Sequence, residues 1–278
     1  MDQLNIIRII NNNIVTARDD SKEVVLMGKG IGYKQVIGNP VDESKIEKTY
    51  SLDGSISTRK FTVLLKDIPH DEIQTINQIV SYAKLSLGKK LSDSIYFSLM
   101  DHLHFAIERN EKGFNFQNAL SWEVKHFYHH EYLIGKEALE IIKTNLGVVL
   151  PEDEGVSIAL HLVNAEADMT MDSTVGMTNI IKQVLGIIKY TLGMEFKEDS
   201  INYERLLTHL KFFIQRLYLD RSVKTDNEEF TTIIKTSFPK EYKCAENIAD
   251  YILRELHCTL SNAELSYLTI HINRVSND

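Results

Sequence analysis

Residues 98–109 read SLMDHLHFAIER, and residues 205–216 read RLLTHLKFFIQR. Aligned on His102 and His209, they share the frame L-x-x-H-L-x-F-x-I-x-R. Apolar residues at this spacing share one helix face, so the chain builds one helical module twice. The register extends well beyond the motif. His161 in LPEDEGVSIALHL matches His271 in LSNAELSYLTIHI, Leu150 matches Leu260, Glu154 matches Glu264, and Glu131-Tyr132 matches Glu241-Tyr242, all at an offset of 110. Two copies mark a duplicated domain; a solenoid would need more.

Four histidines, His102, His161, His209 and His271, are held in this register. Arg109 and Arg216 follow the first of each pair by seven residues, and Glu154 and Glu264 precede the second by seven. Seven residues return to nearly the same helix face two turns along. Asp101 adjoins His102, where the second copy has Thr208. A half-buried polar residue is the ordinary role of any single histidine. Conserving two of them across copies that have otherwise diverged points to chemistry. Neutral imidazole is a nucleophile near pH 7. Phosphorylated, it would place about two negative charges at a helical interface, with arginines to attract and acids to repel them. A metal site is the weaker reading, because no close histidine pair with a third ligand is present. His70, His104, His126, His129 and His130 read as surface residues, and His257 has no histidine counterpart.

The 278 residues are enough for two or three domains. No apolar run spans a bilayer and the start lacks a secretory signal. Two cysteines, Cys244 and Cys258, make no disulfide framework, so a cytoplasmic protein is expected. Net charge is -8; residues 1–60 hold nine Lys/Arg and eight Asp/Glu, +1, which leaves -9 for residues 61–278. Any nucleic-acid face therefore belongs to the first segment. No nucleotide loop or hydrolase signature is found, and no enzyme activity, cofactor or metal is expected.

From LNIIRII through INNN, IVTAR, DDSK, EVVLMG and GKGIGYKQVIG to the turn GNPVD, residues 4–38 read as four short antiparallel strands joined by turns. Residues 43–65 read as a connector with strand pieces IEKTYSL and KFTVLL. So small a sheet needs a cover for one face, and a homodimer is the simplest. From Pro69 onward everything reads as helix, with the four prolines, Pro40, Pro69, Pro151 and Pro239, where helices begin or separate. The expected architecture is multidomain: a small antiparallel β-sheet domain, 1–60, a linker, 61–65, and two homologous all-α domains, 66–170 and 171–278. In the sheet domain the asparagines of INNN can read nucleotide edges or serve turns, the glycines of GKGIGY let a backbone come close, Lys29 suits a phosphate and Tyr33 a stacked base, against the plainer reading of a hairpin turn with one solvated lysine.

With INNNIV, VVLMGKGIGY, DESKIEKTY, SDSIYFSLMDHLHFAIER, LPEDEGVSIALHLVNAE, YERLLTHLKFFIQR and ELSYLTIHI in order from about residue 4 to about 275, the chain resembles transcriptional antiterminators of the BglG/SacY/LicT type. The resemblance implies a dimeric RNA-binding co-antiterminator domain and two phosphotransferase-system regulation domains. It implies RNA contacts at Asn13, Gly28, Lys29 and Tyr33, and phosphorylation of His102, His161, His209 and His271. Its partners would be an antiterminator RNA hairpin, the phosphocarrier HPr and a sugar-specific permease, enzyme II. Phosphorylation by the permease in the first module would switch the protein off, and by HPr in the second would favour the active dimer. The alternatives are a DNA-binding activator, which needs a helix-turn-helix in residues 1–60, and a phosphorylated scaffold or carrier.

Overall fold

Alternating apolar residues in the first segment give each strand two apolar faces. In the structure, a computed structural model that describes residues 4–19, 22–51, 63–66, 68–114, 116–219 and 228–278, these become an antiparallel meander. Strands β1 (Asn5–Asn11), β2 (Ile14–Asp19), β3 (Lys22–Met27) and β4 (Lys48–Ser51) lie in the order β1-β2-β3-β4. The strand expected in residues 28–38 is not formed. Turns occupy it, and the fourth strand comes from IEKTYSL. Glycine accounts for this. A Cβ on Gly28 would lie 1.6 Å from the Lys45 carbonyl oxygen, and one on Gly32 2.3 Å from that of Asn11. The segment therefore folds against its neighbours instead of extending. It then runs beside β1, where Gly38 and Val41 donate to the carbonyls of Ile6 and Leu4, covering that edge. Pro40 lies in this loop and starts no helix. KFTVLL falls partly outside the described residues, and residues 63–66 are helical.

The loop also supplies Ile31 and Val41 to the sheet face made by Ile6, Val15, Ala17, Val24 and Leu26. The opposite face, Ile14, Val25, Met27 and Tyr50, packs on the first helical module within the unit Met1–Met169. That module contains α1 (His70–Leu87), α2 (Ser94–Glu111), α3 (Ser121–Phe127), α4 (His129–Leu146) and α5 (Glu152–Ala167). The sheet face for which the sequence reading sought a second copy is thus covered from within the chain. Polar ties reinforce the packing. Tyr50 donates to Asn77 Oδ1 at 2.9 Å, Lys48 Nζ to the Tyr96 hydroxyl at 2.9 Å, and the Tyr50 and Tyr96 rings meet edge-on at 5.3 Å.

The second unit, Thr170–Asp278, contains α6 (Met171–Leu192), α7 (Ile201–Tyr218), α8 (Glu228–Ser237), α9 (Pro239–Leu256) and α10 (Asn262–Ser276). Pro239 takes the first turn of α9 and separates it from α8, as its place between helical stretches implied. Helix α3 is an element that periodicity did not resolve; it is one of the shortest. His257 caps α9 with a left-handed backbone, φ 54°, where the first copy has Gly147 at φ 69°. Its position is thereby explained by backbone geometry.

Helices α4 and α5 cross where Gly135 meets Gly155; a Cβ on Gly135 would lie 2.1 Å from the Gly155 carbonyl oxygen. The second copy has Ala245 and Leu265 at these positions, so this close crossing is particular to the first. Gly135→Ala is expected to destabilise the first module by about 1–3 kcal/mol through overpacking, measured as a lower urea midpoint of the full chain.

Two candidate histidine pairs and a candidate nucleic-acid loop

The repeated segments form α2 and α7, and the repeated Glu-x6-His segments form α5 and α10. In each module the two helices bring their histidines face to face. The His102 and His161 ring centroids are 4.8 Å apart, and those of His209 and His271 3.9 Å apart. His102 is partly exposed and His161 is buried; His209 and His271 divide in the same way. Residues 59 and 62 positions apart in sequence thus make two equivalent sites.

In the first pair, His102 Nε2 is sealed from solvent and 3.1 Å from Glu154 Oε2, without hydrogen-bond alignment. Arg109 binds the other oxygen of Glu154, and its guanidinium lies over the rings of Phe105 and Phe116. Burial would raise the Glu154 pKa, but the nearby His102 ring and the Arg109 guanidinium outweigh it and hold the carboxyl below its usual range. Burial, with the neighbouring His102, pushes His161 down to about 3. The site therefore holds a neutral imidazole, His161, behind the His102 ring that faces the Glu154 carboxylate. Asp101 is exposed and joins none of these ion pairs.

The second pair is wired differently. Arg216 Nη2 again reaches Glu264, at 3.3 Å, but the other oxygen of Glu264 accepts from the backbone and hydroxyl of Ser261 in a capping box. His209 Nδ1 instead meets the Tyr267 hydroxyl at 2.5 Å. Burial and then the charges of Arg274 and Arg205 lower His209. Burial, His209 and Arg274 push His271 down to about 4. Tyr267 escaped the sequence reading because it has no counterpart, Ser157 standing in its place; its spacing of four before His271 was the available clue. His104 also differs from its surface reading. It is partly buried, with Nδ1 2.9 Å from Glu72 Oε2. His70 is likewise partly buried, with its ring nitrogens covered, while His126, His129 and His130 are exposed as expected.

At the sheet, Asn13 and Gly28 build the loop that presents the other two candidates. Asn13 Oδ1 accepts from the Gly30 amide at 2.9 Å, and its carbonyl accepts from the Gly28 amide at 2.9 Å. Gly28 itself is buried. Lys29 and Tyr33 are exposed, and Lys34 Nζ lies 5.3 Å from the Tyr33 ring centroid. Among the described residues of the 1–60 segment, strands and turns stand where a helix-turn-helix was required, which counts against the DNA-activator alternative.

A small sheet with a cationic, aromatic loop, joined to two helical modules that each hold a paired imidazole site, defines a modification-controlled nucleic-acid-binding regulator. The CAT RNA binding domain family matches residues 4–58, and the PRD domain family matches residues 77–165 and 182–275. Transcription antiterminator LicT of Bacillus subtilis is 45% identical over 98% of this chain and 99% of its own length. The Beta-glucoside operon antiterminator of Dickeya chrysanthemi is 42% identical over 99% and 98%. A crystal structure of GlcT CAT-PRDI aligns at 30% identity with a TM-score of 0.52, over 59% of this chain and 98% of that one. The chain belongs to the BglG/SacY/LicT family of transcriptional antiterminators, non-catalytic RNA-binding regulators governed by histidine phosphorylation linked to the sugar phosphotransferase system. No helix among the described residues is long and apolar enough to cross a membrane.

A histidine held neutral by burial lowers stability as the pH falls below its unfolded pKa, because the unfolded chain then binds the extra proton. For His161 the loss starts near pH 6.5 and continues down to its folded value of about 3. Glu154, lowered in the folded state, adds its own loss only below its ordinary range. Going from pH 7 to pH 5 is expected to cost about 2 kcal/mol through His161 alone. His161→Gln should flatten that slope in urea titrations at the two pH values.

Proposed function

We propose that this chain binds an antiterminator hairpin in the leader of a sugar-operon messenger RNA as a homodimer, through Lys29 and Tyr33 presented by the Asn13–Gly28 scaffold. The hairpin's bases overlap a terminator, so holding it lets transcription continue. The observation that carries this reading is the exposed lysine and tyrosine on a loop that Asn13 and two crowded glycines hold in shape. Similarity to the Beta-glucoside operon antiterminator supports a β-glucoside operon.

The four histidines form the control layer, with the permease acting on His102 and His161 and HPr on His209 and His271. The magnitudes suit a switch. At an effective dielectric of about 20, two unit charges 4 Å apart interact by about 4 kcal/mol. Shifting a two-state equilibrium from 1:99 to 99:1 takes about 5.5 kcal/mol, so a dianion on the His102 ring, near Glu154 and Arg109, acts on the right scale. Helix α2 offers the route, since it carries His102 and also Tyr96, which holds Lys48 and packs on Tyr50 of β4. A repelled α2 would loosen its grip on the sheet.

Binding of the full chain to its own leader hairpin tests the first half, with scrambled RNA and duplex DNA as controls at stated salt. Lys29→Ala is expected to weaken binding and reduce the salt slope by about one. Equal affinity for all three nucleic acids would overturn the reading. For the second half, His102→Asp and His161→Asp are expected to lower a terminator-reporter signal while His102→Ala does not. An unchanged signal from folded Asp variants would remove the first module's inhibitory role.

A further inference from the structure

The two modules place their half-exposed histidines in opposite orientations toward their partners. His102 Nε2 is sealed against Glu154, which leaves Nδ1 unsealed and without a hydrogen bond. His209 is reversed: Nδ1 is taken by Tyr267, and Nε2 is the nitrogen left unsealed and unbonded. Resting on the reading of both residues as phosphoacceptors, we propose that the modules take phosphate on different nitrogens, Nδ1 of His102 and Nε2 of His209, with Glu154 and Tyr267 as the positioning residues that decide which.

Two differences between the copies produce this. Glu154 faces His102 with an oxygen that no cap engages, because the residue three positions before it is Pro151, which has neither hydroxyl nor amide hydrogen. In the second copy that position is Ser261, and its backbone amide and hydroxyl both take the Glu264 oxygen. The second difference is Tyr267 for Ser157. Ser157 is engaged with Asn118 and the Asp153 carbonyl, whereas the tyrosine hydroxyl spans to His209. Exchanging proline for serine and serine for tyrosine moves the polar neighbour, a carboxylate 3.1 Å from Nε2 in one copy and a phenol 2.5 Å from Nδ1 in the other, from one side of the acceptor ring to the other.

The chemistry balances without an added base at either site. A neutral imidazole attacks with the nitrogen that lacks hydrogen. At His102, Nε2–H faces the carboxylate and the Nδ1 lone pair forms the new N–P bond. At His209, the tautomer that donates Nδ1–H to the phenol oxygen leaves its lone pair on Nε2. In both cases the N–P bond of the donor phosphohistidine breaks and its electron pair returns to the donor nitrogen. Each ring keeps its one proton, so only the phosphoryl group moves.

The test uses the full chain with 15N-labelled histidine, phosphorylated by histidine-phosphorylated HPr, by a phosphorylated sugar-permease domain, which is the donor proposed for His102, and, separately, by phosphoramidate. Nitrogen–phosphorus NMR distinguishes the Nδ1 and Nε2 phosphoisomers. Both isomers are expected, the Nδ1 signal missing from His102→Ala and the Nε2 signal missing from His209→Ala. The same isomer at both positions overturns the proposal. No phosphorylation of either histidine overturns the phosphoacceptor reading on which it rests. Tyr267→Phe keeps the ring against His271 but removes the hydroxyl. It is expected to shift the His209 nitrogens away from the Nδ1–H tautomer and to slow its labelling about tenfold, with His102 unaffected. Unchanged His209 nitrogen shifts and rate in that variant overturn the role of Tyr267.

Discussion

An apolar sheet face cannot be left in water, and the face made by Ile14, Val25, Met27 and Tyr50 is the constraint from which the first unit follows. Each of these side chains gains on the order of 2 kcal/mol by burial. A sheet of four short strands has little core of its own, and the loop of residues 28–47 can roof only one side of it. The first helical module covers the other side. The sheet that carries the candidate RNA loop and the helices that carry the first histidine pair are therefore one packed body, sharing a core that runs from β2 and β3 into α1 and α2.

That shared core gives a small electrostatic change at His102 a mechanical route. Interiors pack too densely to deform smoothly, so a displaced helix repacks or lets go. The sheet face now held by α1 and α2 is also the kind of surface a second copy could cover. Occupation by helices and occupation by a second sheet exclude one another. On the proposed reading, a charge at His102 that weakens the first contact would free this one apolar patch for the second.

The fold was legible wherever a period could express itself. The helical stripes, the duplicated register and the first three strands all follow from the spacing of apolar residues. The reading erred where backbone geometry decides instead. Residues 28–38 have strand-like composition, yet Gly28 and Gly32 allow approaches that no side chain permits, and the segment turns. Helix α3 was too short to show a period. At the sites, the four histidines and their Arg and Glu neighbours were visible because duplication repeats them. Tyr267, Ser261 and the His104–Glu72 contact were not, since each belongs to one copy alone.

Duplication reveals what two sites share and conceals what each does differently. Both modules keep a buried neutral histidine, a half-exposed partner, an arginine and a glutamate. Their charges are thus nearly the same, and charge alone cannot tell a phosphoryl donor which module to use. The local wiring differs: a carboxylate against the acceptor ring in the first module, a phenol in the second. On the proposed reading, the Glu154 carboxylate beside His102 would repel an incoming phosphoryl group, whereas Glu264 is held by Ser261 and Arg216 and the uncharged phenol of Tyr267 faces His209. The opposite responses proposed for the two modules would then require only a change of neighbour, not a change of fold.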